Sequence, residues 1–468
     1  MRRLLAVVSS LAVSLGSVYV ARELDRQGRA SPSPSSAASV KTPVLSVRRV
    51  PLWLSMPTGV RALRIGLDAV VADASPKSCL VVRDGERVLH EARPDTPLIP
   101  ASNQKLLVAF AVLEAFDPGE RLTTRVVTEK APQGATIEGD LWLVGGGDPL
   151  LSTPDYLESF EVDQPVATDF TRLADEIVKR GVRRIEGRIL GDESRHDARR
   201  TVESWPSRSL GRTRPGPLSA LMVNDGFEQW PSSPDSDAIP VPASSPARHA
   251  ASVLRELLRE RGVQVVGGVG EGKAPAGAVS VAEIQSPPIA DIVRQMLTQS
   301  DNTTAEVLLK ELGLRREQSG STRAGLDALI AALTEAGLPM DGVVLMDGSG
   351  LDDGNRVTCR LLASLLVQDG PDGPIARALP VAGESGTLRS RFRESIAEGR
   401  VSAKTGLLRE ATALSGFART VGGFDLAFSW IENDDFVDEE ELSSQQRLVE
   451  TLVRFPEAPP LERIGPRR

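Results

Sequence analysis

Ser102 and Lys105 stand three residues apart in Ser102-Asn-Gln-Lys105. At the first turn of a helix that spacing puts both side chains on one face, so the Lys amine can reach the Ser hydroxyl and take its proton. A Ser at a helix start also faces unpaired N–H groups and the positive end of the helix dipole, which favour developing negative charge. Alone the pattern is weak, because Ser is a common helix cap and chance supplies such a spacing. Only 8 of the 55 basic residues are Lys, which gives each Lys more weight as evidence.

Ser300-Asp-Asn302 falls between two stretches of helical texture. There a Ser can relay a proton and an Asn amide can hold a substrate amide. The competing reading is a capping segment, since Ser, Asp and Asn all favour such breaks. Lys404-Thr-Gly406 ends a predicted strand. The Lys cation and Thr hydroxyl can hold a carboxylate, and Gly406 lets a substrate backbone approach the strand edge.

In this chain order, Ser-x-x-Lys, Ser-Asp-Asn and Lys-Thr-Gly are the signature set of penicillin-binding proteins and class A β-lactamases. The flanking segments extend the likeness. Ile99–Leu107, Gly139–Pro149, Ser300–Glu306, Asp347–Leu351 with Asn355–Thr358, and Gly383–Leu388 are similar to stretches of one family. It is the low-molecular-mass D-alanyl-D-alanine carboxypeptidase/endopeptidase family, which carries a large insertion between its first two motifs. The resemblance spans about Arg61 to Trp430. One departure is Leu407, where the family usually has Ser after Lys-Thr-Gly.

The resemblance implies a serine-type D-Ala-D-Ala carboxypeptidase with Ser102 as nucleophile, Lys105 as its base and Ser300 as proton relay. It implies that Asn302, Lys404, Thr405 and Gly406 bind substrate and that the N–H groups of Ser102 and Leu407 form the oxyanion hole. Peptidoglycan stem peptides are the implied substrates and β-lactams the implied inhibitors. No cofactor, metal or nucleic acid is implied. Two alternatives are a β-lactamase, for which no segment marks a deacylating Glu, and an inactive penicillin-recognising sensor or scaffold.

The elements around these motifs read as α+β: a β-lactamase/transpeptidase-like set of helices on an antiparallel sheet, with inserted α/β subdomain(s). Apolar spacing predicts a helix over Gly59–Ala72, a hairpin over Ser78–His90 and a long helix from Ser102. Three late strands, Gly399–Lys404, Thr412–Thr420 and Phe424–Trp430, precede a helix over Asp438–Arg454. The expected catalytic domain is residues 59–120 with 286–455. The expected insert is 121–285, governing access for large peptidoglycan or contacting the wall, with an exposed loop at Trp230–Pro246.

Arg2 and Arg3 precede an apolar run from Leu4 to Ala21, then a Pro/Ser-rich stretch. Residues 1–30 therefore read as an export signal or membrane anchor, 31–58 as a linker and 456–468 as a tail, placing the body of the chain outside the cytoplasm. A net charge of −8 argues against a nucleic-acid surface. Cys79 and Cys359 are read as buried free thiols, with a single disulfide left open. His90, His196 and His249 lie far from any Gly-x-Ser-x-Gly elbow and are read as surface residues. Asp148 and Asp347 are read as turn residues rather than metal ligands.

Overall fold

A computed structural model describes residues 52–160, 165–206, 215–231, 238–437 and 439–457. The N-terminal basic and apolar segment, the linker up to residue 51 and the end of the tail lie outside the described residues. The described residues from 55 to 457 form one compact unit.

The chain opens with helix α1 (Leu52–Asp73), then the hairpin β1 (Ser78–Asp84) and β2 (Arg87–Ala92). Helix α2 (Gln104–Ala115) follows, preceded by a 3-10 turn over Ala101–Asn103. After residues 121–285 come α3 (Ile289–Gln299), α4 (Asn302–Glu317), α5 (Thr322–Glu335) and α6 (Cys359–Asp369). Strands β3 (Val401–Leu407), β4 (Ala411–Arg419) and β5 (Asp425–Asn433) lead into α7 (Glu439–Val453).

The five strands form one antiparallel sheet in the order β3-β4-β5-β1-β2. Because side chains alternate across a strand, each strand feeds two cores. Cys79, Val81, Ala427 and Ile431 face a core built with α2 to α6. Leu80, Val82, Phe428 and Trp430 face the opposite core, closed by α1 and α7 through Leu63, Leu67, Leu448 and Leu452. The first and last helices share that face, as expected. Ile65 of α1 lies off that face and is 60% exposed.

The cysteines correct the sequence reading. Cys79 and Cys359 form a disulfide with sequence separation 280, joining β1 to the start of α6 across the first core. The apolar burial of each residue suggested free thiols; the strand register that faces Cys79 toward α6 is a long-range fact invisible in local sequence.

Residues 121–285 hold a mixed five-stranded sheet in the order Val269–Glu271, Ile189–Asp192, Leu141–Val144, Thr123–Thr128, Val279–Gln285. Helices Thr171–Lys179 and Pro246–Glu260 cover it, and a cluster running from Val126 to Ile284 forms its core. Part of the expected Trp230–Pro246 loop lies outside the described residues. Its flanks pair as a short ribbon, Phe227–Gln229 with Val241–Pro242.

Candidate active site

Ser102 sits in the 3-10 turn rather than at the first residue of α2, but the three-residue step to Lys105 still puts both on one face. The turn is held under constraint. Ala101 has φ +46°, costly for a residue with a Cβ, and Gly350 at φ +82° packs so close that a Cβ there would lie 1.9 Å from Ala101 O. Gln104 adds a bond from Nε2 to Asp347 O (3.0 Å). The loop 347–350 thus braces the turn that carries Ser102.

Lys105 is fully buried beneath Ser102. Its Nζ lies 3.0 Å from Ser102 Oγ, 2.7 Å from Asn302 Oδ1 and 2.7 Å from Ser349 O. The last two atoms only accept, so they fix two N–H bonds and leave the third tetrahedral position of the nitrogen for the Ser hydroxyl. Burial lowers the Lys105 pKa to about 8, against the opposing pull of Asp347, Asp301 and Glu306.

Ser300 caps α3 in a left-handed conformation at φ +59°, and Asp301 caps α4 by accepting from Thr304 N at 3.0 Å. Ser-Asp-Asn therefore forms the bend between two helices, and the capping reading is right for Asp301. Ser300 Oγ receives a bond from Lys404 Nζ at 2.8 Å. Lys404 also donates to Thr405 O (2.8 Å), and Thr405 Oγ1 donates to Thr387 Oγ1 (2.8 Å). Burial, then the nearby Lys105, holds the Lys404 pKa well below that of a free lysine.

Strand β3 is an edge strand whose open side faces the cleft. Hydrogen bonds alternate along an antiparallel pair. Leu408 N donates inward to Ala411 O, whereas Ala403 N donates outward to Pro380 O. Thr405 and Leu407 share the outward parity of Ala403, so the Leu407 N–H points over the cleft while its side chain is 60% exposed. A Cβ on Gly406 would lie 2.8 Å from Pro100 O, so a glycine lets β3 close on the nucleophile turn.

Ser102, Ser300, Asn302, Thr405, Gly406 and Leu407 line one cavity of about 1100 Å³, with Lys105 and Lys404 buried at its floor. All the residues singled out from the three motifs thus converge. Tyr156, Asp225, Phe227 and Trp230 from the 121–285 region line the same cavity. Tyr156 stacks edge-on against Trp230 at 5.1 Å and donates to Asp225 Oδ2 at 2.6 Å. Burial, then the Asp301 charge, pushes the Asp225 pKa up to about 7.

Sequence reasoning missed the residues beneath the site. Asp347 is a hub as well as a turn residue. Its carboxylate accepts from Gly350 N, Asp352 N, Asn355 Nδ2, Ser349 Oγ and, from the 121–285 region, Trp205 Nε1. Glu306 accepts from Gly348 N and Ser349 N. The signal was present, since Glu306, Asp347 and Thr387 all fall in the segments that carried the resemblance. Asp148 is the turn residue expected, accepting from Leu150 N two positions on.

The histidine reading needs correcting. His90 and His196 are buried, bonded to Asp68 (2.9 Å) and Glu311 (2.7 Å), and His249 is half-buried. A carboxylate partner distant in sequence satisfies one ring nitrogen of each buried imidazole. Among the described residues no three His, Cys, Asp or Glu side chains gather to hold a metal ion.

The model of the D-Ala-D-Ala carboxypeptidase 3 (S13) family matches residues 63–243 and 229–454. The chain belongs to this family. It is a serine-type D-Ala-D-Ala carboxypeptidase, a hydrolase. It is 32% identical over 451 residues to a D-alanyl-D-alanine carboxypeptidase of Actinomadura sp. strain R39, covering 79% of this chain and 81% of that protein. It is 32% identical over 350 residues to a carboxypeptidase of Mycobacterium tuberculosis, covering 73% and 72% of the two chains. The fold matches penicillin-binding protein 4 of Haemophilus influenzae with a TM-score of 0.69 at 19% identity, over 82% of this chain and 98% of that one. An enzyme of this family acts outside the cytoplasm, where a disulfide such as Cys79–Cys359 persists. Among the described residues no helix is long and apolar enough to cross a membrane.

Proposed function

We propose that Ser102 Oγ attacks the carbonyl between two terminal D-alanines of a peptidoglycan stem peptide and passes its proton to Lys105. The carbonyl oxygen gathers charge beside the N–H groups of Ser102 and Leu407. Lys105 gives up that proton through the Ser300 hydroxyl to the leaving D-Ala amine, and water then hydrolyses the Ser102 ester with Lys105 again neutral. Asn302 holds the substrate amide, while Lys404 and Thr405 take the terminal carboxylate at the edge of β3. One observation carries this reading: Lys105 has two neighbours that only accept and a third, Ser102 Oγ, that can donate to it.

A β-lactam presents a strained amide and a carboxylate at similar spacing and acylates the same Ser. The acidic side chains lining the cavity are engaged elsewhere, Asp225 by Tyr156 and Asp301 by Thr304, which favours a long-lived adduct over a β-lactamase. Residues 121–285 act as an inserted body that forms one wall of the cleft. Cleavage of a cross-linked peptide at the same Ser102 is the companion endopeptidase reaction of this proposal. The N-terminal basic and apolar segment exports the chain or anchors it.

Incubation with a D-Ala-D-Ala peptide tests the reading by D-Ala release and by mass spectrometry. Ser102→Ala is expected to abolish release and the acyl-enzyme in folded protein. Release that survives the substitution would rule out Ser102 as nucleophile.

A further inference from the structure

Helix α4 supplies one of the two acceptors that orient Lys105 and braces the other. Asn302 on its first turn accepts directly, at 2.7 Å. Glu306, one turn further on the same face, acts through the loop. Its Oε1 accepts from Gly348 N at 3.0 Å and Ser349 N at 2.7 Å, and the carbonyl of that same Ser349 accepts from Lys105 at 2.7 Å.

The carboxyl of Glu306 is fully buried, and its Oε2 meets no hydrogen-bond partner among the described residues. Among the described residues no cation bonds to it; Lys105 feels its charge but spends its three positions on Ser102, Asn302 and Ser349. The ionisable groups facing this pocket are Lys105 from α2, Asp347 from the loop and Asp301 from the start of α4. An unpaired charge buried beside another carboxylate is costly, so one of two neighbouring acids holds a proton. Asp347 has five donors and Glu306 two, which puts the proton on Glu306. Burial and the Asp347 charge raise its pKa to about 8.

We propose that Glu306 is a positioning residue whose uncharged carboxyl holds the Ser349 carbonyl against Lys105, so that the amine is oriented without being locked in its charged form. The proposal rests on Lys105 as the proton acceptor. An ionised Glu306 would favour the ammonium, which cannot take a proton from Ser102.

The test compares wild type, Glu306→Gln and Glu306→Leu in their acylation by benzylpenicillin across pH, with an infrared spectrum of each. Gln offers the same acceptor without a charge, so its rate is expected within about threefold of wild type, with the acidic limb of the profile unmoved. Leu removes the acceptor and is expected to slow acylation about ten- to hundredfold. Below about pH 8 the wild-type spectrum should hold a protonated-carboxyl band that disappears in Glu306→Gln. An acidic limb lowered by about a full unit in Gln would show that Glu306 is an ionised counter-ion. A Gln rate as slow as that of Leu would overturn the positioning role. Should Leu fail to fold, Gln and the infrared band decide. A wild-type profile with no acidic limb would sink the Lys105 reading, and the carboxyl band would still judge Glu306.

Discussion

Lys105 Nζ lies 3.0 Å from Ser102 Oγ with its other two positions taken by Asn302 Oδ1 and Ser349 O. Neither of those atoms can donate, so the geometry suits an amine with two N–H bonds and one lone pair turned to the hydroxyl. A structural lysine would need only acceptors around it.

The pH dependence of acylation follows. Burial holds the Lys105 pKa at about 8, below its ordinary 10.5. The reactive form is the neutral amine, so the rate rises with pH and levels off above about 8. Arg keeps the charge but cannot release its proton, so Lys105→Arg is expected to damage acylation as severely as Lys105→Ala. Second-order rates with benzylpenicillin check this, with folding followed by circular dichroism. An Arg variant within about tenfold of wild type would contradict the role of base.

Carboxylate recognition is assigned to the edge of β3. Amidating the last D-Ala of the substrate removes the negative charge that Lys404 and Thr405 are placed to meet. The loss of a charge-assisted hydrogen bond, about 1.5–3 kcal/mol, corresponds to roughly a ten- to hundredfold drop in kcat/KM. Equal rates on the acid and the amide would place recognition elsewhere.

The Cys79–Cys359 bond closes a long loop and ties β1 to α6, on the core face that also receives α2. Replacing both cysteines with Ala is expected to destabilise the fold by about 2–5 kcal/mol. The site has no direct contact with either residue, so acylation of the folded variant should persist. Thermal unfolding with and without reductant is the measurement. No change in wild-type unfolding on full reduction would contradict the stabilising role.

The fold was readable where local pattern decides it. The hairpin at Ser78–Asp84 and Arg87–Ala92, the three late strands and the helix after Ser300-Asp-Asn302 all lie close to their expected places. Helices α5 and α6 were not singled out; their burial depends on packing against α4 and β1. The motifs gave Ser102, Ser300, Asn302, Thr405 and Gly406, all lining the cleft, because their types and spacing carry chemistry. They could not give the layer beneath. Glu306, Asp347 and Ser349 matter through contacts with α2 and with each other, and no spacing rule encodes a buried hub. The same limit hid the disulfide and the carboxylate partners of His90 and His196. It also hid the wall that Tyr156 and Trp230 add to the cleft.

The most direct test of the account is mass spectrometry of the folded protein after incubation with benzylpenicillin, followed by peptide mapping. The account predicts one adduct per chain, on Ser102, persisting after excess drug is removed. An adduct on another residue, or none in folded protein, would contradict it.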